Sequence, residues 1–94
     1  MRLVWSAASR RHLRDARDHI AQDNPDAAET LVAVIEERAR TLQMFPAAGR
    51  QDAQGRRMLA LPPTPYSLIY RILPDRVFVI AVWHGARQWP PARD

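Results

Sequence analysis

The segment from Asn24 to Pro46 constrains the fold more than any other part of the sequence. Asn24, Pro25 and Asp26 predict a helix start, in which Asn24 caps the backbone, Pro25 takes the first helical position and Asp26 complements the helix dipole. The apolar residues that follow repeat with a helical period and form one stripe: Ala28, Leu31, Val32, Ile35, Ala39 and Leu42. The helix runs to about Met44, since Pro46 bars its continuation. A helix with one apolar face must bury that face against another element.

The residues before this helix predict a strand and another helix. Arg2–Trp5 has the pattern of a short strand, and Ser6 is a suitable N-cap for a helix over roughly 7–22. The apolar stripe of this first helix consists of Leu13, Ala16 and Ile20. Two long helices joined by a short turn form an antiparallel hairpin.

The residues after Pro46 predict a loop and three strands. Residues 46–56 contain proline, glycine and polar residues, which is typical of a loop. Strands are expected at 58–61, 66–72 and 76–83, and the last is apolar on both faces, as in a central strand. The chain is therefore expected to form one α+β domain over residues 1–94: an N-terminal strand, a two-helix hairpin and a three-stranded antiparallel meander. The helices cover one sheet face, which leaves the other face or its edge available for function.

The charge of the chain is concentrated in its second half. Residues 1–49 carry seven arginines and seven acidic residues, whereas residues 50–94 carry seven arginines and three acidic residues. A basic half suggests that the partner is a polyanion or an acidic protein surface. The absence of cysteine excludes disulfides and thiolate metal sites, and no cofactor motif occurs. The longest apolar runs are too short to cross a membrane, and no signal-peptide pattern occurs, so a cytoplasmic protein is expected.

Five short motifs occur together in register along the chain. They are Trp5 followed by a basic helix, Asn24-Pro25, the stretch Phe45-Pro46-Ala47-Ala48-Gly49-Arg50, the stretch Pro65-Tyr66-Ser67-Leu68-Ile69-Tyr70, and the stretch Val82-Trp83-His84-Gly85-Ala86-Arg87. In this order and spacing the chain resembles the RelE/ParE toxin superfamily of type II toxin–antitoxin systems, closest to its ParE-like branch.

The resemblance implies a toxin that a cognate antitoxin protein neutralises in a hetero-oligomeric complex. ParE-like members inhibit DNA gyrase and have no known cleavage chemistry, whereas RelE-like members enter the ribosome and cut mRNA. Three alternatives follow for this chain: a gyrase-binding inhibitor, a ribosome-dependent ribonuclease, or an inactive relic that still binds its antitoxin.

The ribonuclease alternative requires a base, an acid and cations around one phosphate. His84 could be the acid or the base, since an imidazole can transfer protons near neutral pH, and Arg57, Arg71 and Arg87 could supply the positive charge. The RelE-like ribonucleases usually have an arginine where this chain has Ser67, lysines before that strand, and a tyrosine in the tail. This chain has no lysine, and its tail aromatic residue is Trp89, which has no hydroxyl group. These departures favour an inhibitor that acts by binding.

If the protein acts by binding, the arginines of residues 50–94 are expected to contact a partner protein and not a reacting phosphate. The candidate contacts with the target or the antitoxin are Arg56, Arg57, Arg71, Arg87 and Trp89. His12, Asp15 and His19 share a helix face, but they are too few to predict a metal site. Tyr66, Tyr70 and Trp5 are expected to belong to the core.

Overall fold

The computed structural model describes residues 1–91, in which two helices pack on one face of a five-stranded sheet. The elements in chain order are β1 (Arg2–Trp5), α1 (Ala7–Ala21), α2 (Pro25–Thr41), a short 3-10 helix (Pro46–Ala48), β2 (Arg50–Gln51), β3 (Arg57–Ala60), β4 (Tyr66–Ile72) and β5 (Arg76–His84). The predicted α+β architecture is confirmed, including the N-terminal strand, the helix hairpin and the three-stranded meander.

Both helices begin where the sequence predicts. The Ser6 hydroxyl accepts a hydrogen bond from the Ser9 backbone N–H at 3.0 Å, and the Asn24 side chain accepts one from the Ala27 N–H at 3.0 Å. The second helix ends earlier than predicted, at Thr41 rather than near Met44. The backbone N–H groups of residues 42–44 bond to carbonyls three residues earlier, which tightens the last turn before Pro46.

The sheet has the strand order β1-β5-β4-β3-β2, with β1 parallel to β5 and the other neighbours antiparallel. The strand β2 was not predicted, because it consists of two residues and has no periodicity that could indicate a strand. It forms because a turn closed by a hydrogen bond from the Asp52 N–H to the Arg56 carbonyl at 2.7 Å brings it back along β3. The expectation of a continuous loop over residues 46–56 is therefore wrong at Arg50–Gln51.

The main core lies between the helices and the sheet. It contains Leu31, Ile35, Ala39 and Leu42 of the predicted α2 stripe, whereas Val32 is only partly buried. It also contains one face of each central strand, and its fully buried members include Leu68, Tyr70 and Val79. The tyrosine Tyr66 belongs to this core as expected, and Trp5 packs against it while remaining partly exposed.

Tyr70 connects the core to the loop after α2. Its hydroxyl donates to the Pro46 carbonyl at 2.6 Å and accepts from the Gly49 N–H at 2.8 Å. A Cβ atom on Gly49 would lie 2.8 Å from this hydroxyl oxygen, so position 49 requires glycine for the close approach.

The other face of the sheet carries a smaller apolar cluster. Ile69, Ala81 and Trp83 are buried there, and Met58, Ile80 and Trp89 pack against them. This is the face that the helices leave uncovered. Within residues 1–91, neither helix is long and apolar enough to cross a membrane.

Candidate functional site

The segment after β5 folds back over the helix-free face. The Trp83 indole N–H lies 3.2 Å from both the Arg87 and the Gln88 carbonyl oxygens. The Gly85 N–H donates to the Pro65 carbonyl at 2.7 Å, which fixes the start of the turn. The tail is therefore built onto the sheet by hydrogen bonds and does not simply extend away from it.

Two arginines and two tryptophans form a continuous stack on this face. The Arg87 guanidinium carbon lies 4.5 Å from the centre of the Trp83 ring, and the Trp83 and Trp89 rings meet edge to face at 4.9 Å. The Arg56 guanidinium carbon lies 5.5 Å from the Trp89 ring. Guanidinium groups are attracted to the negative faces of aromatic rings, so the stack holds two cations in defined places. We call Arg56, Trp83, Arg87 and Trp89 the tryptophan stack.

Three of the predicted binding residues, Arg56, Arg87 and Trp89, therefore meet on one surface. Sequence reasoning omitted Trp83 from the site because this residue ends an apolar strand, where a buried role is expected. The signal that could have found it is the arginine four residues later, beyond a short turn.

Arg56 is positioned by the turn between β2 and β3. The Asp52 carboxylate accepts hydrogen bonds from the backbone N–H groups of Gln54 and Arg56, both at 2.9 Å, and from the Arg56 side chain at 2.8 Å. Desolvation alone would raise the pKa of Asp52, but these hydrogen bonds outweigh it and lower the pKa below its usual range. Asp52 therefore stays ionised and fixes the Arg56 guanidinium beside Trp89.

Arg71 supports the turn between β2 and β3, whereas Arg57 supports the segment that leads into β2. Arg57 donates to the Gly49 carbonyl at 2.7 Å and lies 3.3 Å from the Ala47 carbonyl. Arg71 donates to the Gln54 carbonyl at 2.8 Å. A cavity of about 270 Å³ opens between this loop and Trp89, and its lining includes Arg50, Arg56 and Arg57 above the apolar floor of Met58 and Ile69.

A second cavity, of about 350 Å³, lies between α1 and the end of β5. It is lined by His12, Asp15, Ala16, His19, Tyr66, Val82, His84 and Arg87, and we call it the histidine cavity. It contains all three histidines of the chain. The fold brings His84 to the α1 residues that sequence reasoning had considered separately. Within residues 1–91, no three or more histidine and acidic side chains are arranged to hold a metal ion.

His12 completes the hydrogen bonding of an open strand edge. The partner strand β1 ends opposite Val79, and beyond that point α1 lies along β5. There the Ser6 hydroxyl donates to the Ile80 carbonyl at 3.0 Å, and His12 Nδ1 accepts from the Val82 N–H at 3.3 Å. Burial, followed by the positive charges of Arg11 and Arg87, lowers the pKa of His12, so its ring is neutral at pH 7.

His84 is fixed in a similar way at the other side of the histidine cavity. Its Nδ1 accepts a hydrogen bond from the Ala86 N–H at 3.0 Å. Its ring meets the Tyr66 ring edge to face at 5.2 Å. Of the residues considered for RNA cleavage, His84 and Arg87 thus share this cavity, whereas Arg57 and Arg71 bond to loop carbonyls elsewhere.

Comparisons with known proteins agree with this fold. The family model described as ParE toxin of type II toxin-antitoxin system, parDE, matches residues 3–89. A curated protein named "Putative toxin Y4kP", from Sinorhizobium fredii, is 37% identical over 90 residues, which cover 95% of this chain and 93% of that protein. A solved structure titled "Chromosomal ParDE TA system from P. aeruginosa" has a TM-score of 0.82 and is 26% identical in sequence. The match covers 89% of this chain and 95% of that chain. The chain belongs to the ParE toxin family of type II toxin–antitoxin systems.

Proposed function

We propose that this toxin inhibits growth by binding DNA gyrase and that a cognate antitoxin neutralises it in the cytoplasm. The observation that carries the proposal is the stack of Arg87, Trp83, Trp89 and Arg56 on the helix-free face. Tryptophan and arginine are the residues most often found at the energetic centre of protein interfaces. Here they are already ordered in the free chain, so binding would cost little side-chain entropy.

The charge of this surface fits an acidic protein partner. Arg87 is exposed, Arg56 is half-buried, and the net excess of four positive charges lies in the half of the chain that contains both. A guanidinium is planar and always charged, so it can pair with a carboxylate through two parallel hydrogen bonds. The antitoxin would use the same complementarity, through an acidic and apolar segment that crosses this basic half. Arg71 would contribute indirectly, because it bonds to the turn that positions Arg56, and Arg57 would do so by holding the segment that leads into β2.

The distribution of the candidate nuclease residues supports binding over RNA cleavage. Metal-free cleavage needs cations close to the acid and the base at one phosphate. Of the three candidate arginines, only Arg87 lines the cavity that contains His84. Ser67 lacks the positive charge of the arginine that RelE-like ribonucleases have at this position, and Trp89 has no hydroxyl group that could exchange a proton as a tyrosine would.

The experiment that tests the proposal is expression without the antitoxin, followed by two readouts. We expect induction of the DNA damage response and inhibition of supercoiling by purified gyrase, with intact mRNA on translating ribosomes. The Arg87→Ala variant should weaken gyrase inhibition about tenfold or more, whereas Arg40→Ala, on the exposed surface of α2, should leave it unchanged. Codon-positioned mRNA cuts that disappear in His84→Ala or Arg87→Ala would overturn the proposal in favour of the ribonuclease.

A further inference from the structure

The histidine cavity has a chemical character that the proposed binding of gyrase does not use. Its polar lining comes from three places: α1 contributes His12, Asp15 and His19, β4 contributes Tyr66, and the end of β5 with its turn contributes His84 and Arg87. Of the described residues that line it, Asp15 is the only one with an acidic side chain. The arrangement therefore concentrates imidazole and guanidinium groups in a space of about 350 Å³.

The backbone determines which nitrogen of two imidazoles carries the proton. Backbone N–H groups can only donate, so His12 Nδ1 must accept from Val82 and His84 Nδ1 must accept from Ala86. A neutral imidazole whose Nδ1 accepts carries its proton on Nε2. Within residues 1–91 no partner accepts from either Nε2–H, so both remain as donors. The unprotonated Nδ1 of each ring is already occupied by a backbone N–H and is not free to act as a base.

Arg87 adds a permanent positive charge to these two donors. Its guanidinium lies over the Trp83 ring, and among the residues that the structure describes its side-chain N–H groups have no hydrogen-bond acceptor. Its charge is close enough to His12 to help lower the pKa of that residue. The Trp83 ring also meets the His12 ring edge to face at 5.8 Å, so the arginine and the histidine are held by the same tryptophan.

We propose that the histidine cavity binds a phosphate group through the Nε2–H donors of His12 and His84 and the guanidinium of Arg87. Three donors from separate parts of the fold suit a tetrahedral anion, whose oxygens point in several directions, better than a planar carboxylate. The absence of a free base on either ring fits binding of the phosphate and not its cleavage. The proposal is independent of the target of the toxin, because it concerns a ligand that the chain can bind alone.

The test is a titration of the ¹⁵N-labelled toxin with inorganic phosphate, followed through the imidazole nitrogens by NMR. Before phosphate is added, His12 and His84 should both show the tautomer protonated on Nε2. Phosphate should then shift both Nε2 signals in a saturable way, whereas sodium chloride at the same ionic strength should not. Titration without saturable shifts, or rings protonated on Nδ1, would overturn the proposal.

Matched variants separate the site from the general charge of the protein. Arg87→Gln should weaken phosphate binding about tenfold, because it removes a charge-assisted hydrogen bond, while Arg40→Gln removes the same charge from the exposed surface of α2 and should have no such effect. Asp15→Asn should strengthen binding about threefold by removing the repelling carboxylate. This variant is informative because misfolding cannot produce a gain of affinity. An unchanged affinity for phosphate in Asp15→Asn would count against the site.

Three small anions identify the source of the phosphate. Stronger binding of inorganic phosphate than of dimethyl phosphate would support a terminal phosphate group as the ligand, and the reverse order would support the phosphodiester of a nucleic acid. Acetate that binds as tightly as either would overturn the phosphate assignment and indicate a contact with an acidic protein segment instead.

Discussion

At the scale of single residues, Tyr70 shows how one hydroxyl joins the sheet to the loop beyond α2. It satisfies the Pro46 carbonyl and the buried N–H of Gly49 together. We expect Tyr70→Phe to lower the free energy of unfolding by about 1–3 kcal/mol, because both backbone groups lose their partner where water does not reach easily. Urea unfolding would measure this loss. Tyr66→Phe is the control, since its hydroxyl has no hydrogen-bond partner within residues 1–91; an equal loss in both variants would contradict the explanation.

His12 makes the stability of the fold depend on pH. Because burial and two nearby arginines lower its pKa in the folded state below the usual 6.5, the unfolded chain binds the proton more readily. The stabilising effect is therefore complete above about pH 6.5 and is lost progressively as the pH falls below it. Asp52 titrates in a separate and more acidic range, since its pKa lies below 3.8.

We accordingly expect the free energy of unfolding to decrease as the pH falls below about 6.5, and to decrease less in His12→Gln. Gln retains a side-chain oxygen that can accept from the Val82 N–H but has no group that titrates. Unfolding by urea at a series of pH values measures both curves. Parallel curves for the two proteins would show that His12 is not the cause.

At the scale of elements, the helices and the three strands of the meander could be predicted, whereas the tail could not. Caps and a 3.6-residue period are local signals, and they identified α1, α2 and their start residues correctly. The sequence indicated that the tail from His84 onward is not needed to complete the sheet, and it left open whether Trp89 packs against the sheet or contacts a partner. In the structure Arg87, Gln88 and Trp89 contact Trp83 across an irregular turn, which has no periodicity from which the contacts could be predicted. The presence of His12 and His84 in one cavity also could not be predicted, because it depends on where β1 ends along β5, which the sequence does not indicate.

The contacts of the tail predict that it stabilises the fold as well as forming the candidate binding surface. Trp89→Ala should lower the free energy of unfolding by about 1–3 kcal/mol, because the half-buried indole packs on Trp83 and shields the smaller cluster. Trp89→Phe should retain more than half of that stability. Thermal unfolding followed by circular dichroism would measure both variants. A truncation after Gly85 that unfolds at the same temperature as the full chain would contradict this role.

At the scale of the whole molecule, one face of the sheet forms the main core and the other carries the candidate binding surface. The helix-covered face holds the main core, while the helix-free face carries the tryptophan stack and the basic loop. The charge imbalance between the two halves of the chain was visible in the sequence. Only the fold shows that Arg56 and Arg87, which are distant in sequence, are connected by contacts through two tryptophans.

This asymmetry of charge predicts how fast the toxin meets its antitoxin. If an acidic antitoxin segment approaches the basic half, attraction at a distance should accelerate association, and salt should screen it. We expect the association rate constant, measured by stopped flow, to fall about tenfold or more between low and high salt, with a smaller change in the dissociation rate. The double variant Arg50→Gln/Arg87→Gln should slow association more than Arg10→Gln/Arg11→Gln, although each removes two positive charges. Equal slowing by the two would mean that net charge alone attracts the partner, and a rate independent of salt would exclude electrostatic steering by the basic half.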